Sequence, residues 1–88
     1  MASLVVEFFG IPRERAGQTE LTVASGTLAE VLAAVAQQCP RLKDVRRSDG
    51  SLNGHYRLSL DGQRFLTDVN EILPAGSRVL LLSADVGG

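Results

Sequence analysis

A single segment of the 88-residue chain carries a helical apolar repeat, and it is fenced at both ends. Leu28, Val31, Leu32, Val35 and Cys39 recur at the spacing that lines one face of a helix. Thr27-Leu28-Ala29-Glu30 is a capping box, in which the threonine hydroxyl and the glutamate side chain each satisfy a backbone N–H left open at the helix start. Pro40 has no N–H and clashes with the turn before it, so the helix is predicted to end near Gln38 or Cys39, after about three turns. A helix with one apolar stripe must lay that stripe on something, and the rest of the chain offers mainly strands. The chain is thereby confined to a two-layer α+β arrangement, one helix on one sheet.

The strands follow from residue type and alternation. Residues 3–9 (SLVVEFF) are β-branched and aromatic, with Leu4, Val6 and Phe8 on one face and Val5, Glu7 and Phe9 on the other. Residues 10–17 (GIPRERAG) hold a proline between two glycines and read as a loop. Residues 18–23 alternate, with Thr19, Leu21 and Val23 inward, and are predicted to form a hairpin with the first strand. Residues 40–54 are polar and read mostly as loop, with one helical turn near 42–45. A third strand is expected at 55–60, the Asp61-Gly62 pair is a tight-turn signal, and a short strand follows around 64–66. Residues 67–76 read as irregular and 77–84 as the last strand. The arrangement that fits this order is the β-grasp: a mixed sheet of four to five strands with one main helix on one face, the first and last strands adjacent and parallel in its centre. Residues 1–84 form this domain, and 85–88 are left as a flexible C-terminal tail.

Composition excludes several function classes. Nine basic and ten acidic side chains give a net charge of -1, so no nucleic-acid partner is expected. The one basic cluster, Lys43, Arg46 and Arg47, is interleaved with Asp44 and Asp49 and reads as a solvated loop. A single cysteine excludes a disulfide framework or a multi-cysteine metal site, and Cys39 lies on the apolar stripe, where a thiol behaves as a small buried hydrophobe. His55, the one histidine, reads as a strand-start or surface residue. There is no phosphate-binding glycine loop and no nucleophile elbow, so the chain is expected to bind no cofactor and to hold no catalytic machinery of its own. No apolar run approaches the roughly 20 residues that span a bilayer. No basic stretch precedes the first apolar run, so a signal peptide is not expected either, and the expected location is the cytoplasm.

Two features remain after the fold is assigned. The strands carry surplus apolar residues: Val5 and Phe9 fall opposite the helix-facing set, and an unbroken Val79-Leu80-Leu81-Leu82 must turn one alternate pair the same way. That predicts an apolar patch on the open side of the sheet, a common form of partner surface, unless the loop after Pro40 folds over it. The second feature is Gly87-Gly88, following directly on the last strand. Glycines pass through narrow channels for want of a Cβ, and the four residues 85–88 reach roughly 13–14 Å when extended. A terminal carboxylate, with a pKa of about 3.3–3.7, is ionised at neutral pH and can attack the α-phosphate of ATP without a general base.

These features together resemble the MoaD/ThiS family of small, ubiquitin-like sulfur carriers. The resemblance is carried in order by Phe8-Phe9-Gly10 with Arg13-Glu14 and Gly17, the capped helix, Leu60-Asp61-Gly62, the run from Leu73 to Val79 (LPAGSRV) and Gly87-Gly88. It implies that a ubiquitin-activating-type enzyme, using ATP and Mg, adenylates Gly88. A sulfur donor protein then converts the adenylate to a thiocarboxylate, with Gly87 allowing passage. It further implies docking on the large subunit of molybdopterin synthase through Phe9, Arg13, Phe65, Leu82 and Val86, and sulfur donation to the molybdenum-cofactor precursor. Carriers for thiamine or another sulfur metabolite share this pattern, as do ubiquitin-like modifiers of protein lysines. A plain β-grasp interaction module is the alternative of another class.

Overall fold

The computed structural model describes residues 2–84. Their elements run β1 (Ser3–Phe8), α1 (Ile11–Ala16), β2 (Glu20–Ala24), α2 (Leu28–Gln38), a short 3₁₀ segment (Pro40–Val45), β3 (Tyr56–Leu60), β4 (Arg64–Leu66) and β5 (Arg78–Ser83). The strands form one sheet in the order β2-β1-β5-β3-β4. β1 and β5 are parallel, with Val6 opposite Val79 and Phe8 opposite Leu81. The other pairs are antiparallel. This is the β-grasp arrangement, with five strands.

Alternation along the two inner strands decides what is buried. Leu4, Val6 and Phe8 of β1 and Val79 and Leu81 of β5 are all 1% exposed or less. They meet the α2 stripe of Leu28, Val31, Leu32 and Val35 in one core, and Cys39 closes it at 2% exposure. The capping box forms as the sequence dictates: Thr27 Oγ1 accepts from Glu30 N at 3.2 Å, and Glu30 Oε1 accepts from Thr27 N at 2.8 Å. The Thr27 backbone N–H, followed by its hydroxyl, holds the Glu30 carboxyl below its ordinary pKa. Thr27→Ala leaves the Glu30 N–H without this partner, and should cost about 1 kcal/mol of stability, read as a lower urea midpoint with unchanged slope.

Two connections differ from expectation. Residues 11–16 are helical, not loop, so β1 and β2 pair antiparallel across a short helix instead of a tight hairpin. Pro12 sits in the first turn, where a missing N–H costs nothing, and Gly17 closes the helix in the left-handed region at φ 72°. β2 accordingly starts at Glu20, and Thr19 is exposed instead of inward. The segment after α2 makes two short 3₁₀ turns across a kink at Leu42, where φ is -110° and ψ 18°, and its Leu42 and Val45 are buried in the core. The Asp61-Gly62 turn forms as predicted, with φ of 53° and 72° and Gln63 N donating to Leu60 O at 2.9 Å.

Candidate functional site

The sheet has two faces, and α2 covers one. The register across β1, β5, β3 and β4 sets Glu7, Leu80, Ser59 and Phe65 in one row on the other. One step further along, Leu82 pairs with Arg57, and Phe9 follows Phe8, which lies opposite Leu81. Phe9 and Phe65 are 39% and 55% exposed, while Val5, Leu80 and Leu82 are half-buried. The Arg57 guanidinium carbon lies 5.4 Å from the Phe65 ring centroid, a cation–π geometry on the exposed edge of the patch. On the other side Arg78 bonds Glu7 at 3.3 Å and Glu20 at 3.2 Å, giving the patch a charged rim. The segment after Pro40 leaves this face uncovered, because it packs against α2 and α1 and sends Leu42 and Val45 into the core.

Three of the residues that sequence assigned to partner binding, Phe9, Phe65 and Leu82, therefore share one face. Arg13 is exposed on α1 and not on a strand of that face. Val86, Gly87 and Gly88 lie outside the described residues. Leu80 with Leu82 is the alternate pair that the run from Val79 to Leu82 was expected to turn to this face, whereas Arg57 and Ser59 were not singled out from sequence. They join the patch through cross-strand register, which residue type alone does not reveal.

β5 ends where β3 begins: Tyr56 lies opposite Ser83, and Ala84 N donates to His55 O at 2.9 Å. An open cleft of about 240 Å³ sits here, lined by Ile11, Arg15, Asp44, His55, Tyr56 and Ser83. Its floor is a polar knot joining α1, the 3₁₀ segment and β3. The Tyr56 hydroxyl accepts from Arg15 Nη1 at 2.5 Å and donates to Asp44 Oδ1 at 2.8 Å, while Arg15 also reaches Asp44 at 3.4 Å. Burial pushes the Tyr56 phenol above its ordinary pKa and Asp44 adds to the rise, against a smaller opposing effect of Arg15. The fold thus holds this proton more tightly than the unfolded chain. Its contribution is complete below the ordinary value of about 10 and is lost as pH rises from there through the higher value in the fold. Tyr56→Phe should cost about 1 kcal/mol at neutral pH and flatten the stability loss above a pH of about 10, both measurable by urea titrations across pH.

Cys39 is buried in the core, with Gln18 Nε2 3.8 Å from its sulfur. Among the described residues no group of three or more His, Cys, Asp or Glu could hold a metal ion. No described helix is long and apolar enough to cross a membrane.

No protein-family model matches the sequence, and no curated protein matches it at a significant level. Solved structures do match over nearly the whole chain. Small archaeal modifier protein 1 from Haloferax volcanii is 26% identical with a TM-score of 0.82, the match covering 98% of this chain and 99% of that one. The protein of the same name from Methanosarcina acetivorans is 26% identical with a TM-score of 0.81, covering 100% and 98%. A chain in the complex of subunits 1 and 2 of the molybdopterin-converting factor from Helicobacter pylori shares the fold at 22% identity and a TM-score of 0.66, covering 98% and 99%. Strand order and full-length structural similarity agree: the chain has the β-grasp fold of these small modifier and molybdopterin-converting proteins.

Proposed function

We propose that the chain is a sulfur carrier whose reactive group is the carboxylate of Gly88. The observation that supports this best is the course of β5. Paired on both sides, it brings the backbone out at Ala84 beside the open apolar face, four residues before Gly88. The folded body acts as a handle, and Asp85-Val86-Gly87 is the reach. In the first step a Gly88 carboxylate oxygen attacks the α-phosphate of ATP held with Mg by an adenylating partner, and pyrophosphate leaves. In the second, a hydrosulfide-equivalent donor adds to the acyl carbon and AMP leaves with the former carboxylate oxygen, so that the product is a thiocarboxylate.

The finer reading is the small subunit of molybdopterin synthase. The Phe8-Phe9-Gly10 and Arg13-Glu14 motifs favour it, as does the fold shared with a protein solved in a two-subunit molybdopterin-converting complex. A second reading, protein modification, is favoured by the 26% identity to two small archaeal modifier proteins. It ends in an amide between Gly88 and a lysine instead of sulfur transfer.

Intact-mass measurement after incubation with the adenylating enzyme, ATP, Mg and a sulfur donor tests the common step. The expected result is one oxygen exchanged for one sulfur, located at Gly88 by fragmentation. Sulfur on the buried Cys39, or no exchange, overturns the proposal. Higher-mass conjugates in extract that vanish when Gly88 is removed would select the modifier reading.

A further inference from the structure

The net charge of -1 conceals a strong separation of charge. β1 and β5 run parallel, so the elements that follow β1 and precede β3 gather at the end where β5 runs out. There α1 packs on the 3₁₀ segment, and the loop behind it is tied back by Asn53 N donating to Val45 O at 2.9 Å. This end exposes Arg13, Arg41, Lys43, Arg46 and Arg47, none of which forms an ion pair among the described residues. Its carboxylates only partly offset them. Asp44 is bound to Arg15 and Tyr56, and Asp49 accepts from Ser51 N and Oγ at 3.0 and 2.6 Å while feeling Arg47. Glu14 is the third.

The opposite end is the reverse. Its two cations are already neutralised, Arg64 by Glu71 and Arg78 by Glu7 and Glu20. Glu30, Asp61 and Asp68 stand there in addition. The described residues thus form a dipole whose positive pole lies at the end where β5 runs out.

We propose that this positive pole is a docking collar for an acidic protein surface, the face of the partner that flanks the entrance for the C-terminal residues. The inference rests on the carrier reading for what the partner does, but its electrostatics stand without it. A positive collar at the end where β5 runs out turns the molecule during approach, so that encounters occur with that end first. Such steering raises association rates and fades with salt. A protein partner fits better than a phosphate polymer or membrane. Glu14 and Asp49 interrupt the collar, which would repel a continuous phosphate array, and among the described residues no exposed Phe, Tyr or Trp lies within it to stack a base: Phe9 and Phe65 belong to the open sheet face.

Poly-L-glutamate serves as the probe, titrated into the full chain and followed by amide NMR shifts. At low ionic strength the shifts should centre on α1 and residues 40–47, and they should shrink at about 0.15 M salt. Arg46→Glu/Arg47→Glu should weaken binding about fivefold or more, whereas Arg64→Glu at the opposite end should change it less than about twofold. A chain lacking Gly87 and Gly88 should bind the probe unchanged, so failure of the sulfur chemistry would not register here. Absence of shifts, shifts centred on the open sheet face or the opposite end, or tighter binding of a DNA duplex or of phosphatidylglycerol vesicles overturns the proposal.

Discussion

Removing Gly87 and Gly88 is expected to abolish sulfur loading completely while the fold stays as stable as before. The core is assembled within residues 4–81, from Leu4 to Leu81, and the last described residue, Ala84, is tied to the body by a hydrogen bond to His55. The expected urea midpoint therefore lies within the roughly 0.5 kcal/mol scatter of neutral surface changes. The chemistry behaves differently, because adenylation needs a free carboxylate at the end of a chain slim enough to enter an active site. Adding a few residues beyond Gly88 should be as damaging as the deletion, since the carboxylate moves and side chains now stand where glycine passed. Intact mass after incubation with adenylating enzyme, ATP, Mg and sulfur donor reads both variants. Sulfur incorporation by either would move the carrier site elsewhere.

Phe8→Ala should come close to unfolding the protein. Phe8 is 1% exposed and sits on β1 opposite Leu81, the pairing that joins the N- and C-terminal halves of the sheet. Truncating a buried phenylalanine costs about 3–5 kcal/mol, from lost transfer energy and the cavity left behind. A chain of this length has roughly 4–13 kcal/mol to lose, at about 0.05–0.15 kcal/mol per residue. The neighbouring ring is the control. Phe9 is 39% exposed on the opposite face, and Phe9→Ala should cost under about 1 kcal/mol while removing part of the apolar patch. Paired urea titrations decide it, and equal costs at the two positions would mean that the division of faces is wrong.

That division could be read from residue order alone, because strand alternation and the helical stripe are short-range patterns with different periods. The α2 boundaries were legible for the same reason: Thr27, Glu30 and Pro40 act through the backbone within a turn of themselves. The parallel pairing of β1 with β5 was expected as part of the β-grasp, the arrangement that fits the order of strands and helix. Helix α1 was not legible, although Pro12 and Gly17 are sound start and stop residues. Its six residues are too few for an apolar repeat, and the proline between glycines looks like a turn. The knot of Arg15, Asp44 and Tyr56 was hidden for another reason. Its members are 29 and 12 residues apart along the chain and meet only once three separate elements have packed. The row joining Leu80 and Ser59 to Phe65 likewise depends on register, which neither strand specifies by itself.

The parallel pairing of first and last strands has a mechanical consequence. A machine that draws on the C-terminal end pulls β5 along its own axis, between β1 on one side and β3 on the other. The hydrogen bonds of both ladders then lie across the direction of pull and must yield together, in shear, instead of opening one after another like a zipper. The body can be tugged hard by its terminus and stay folded.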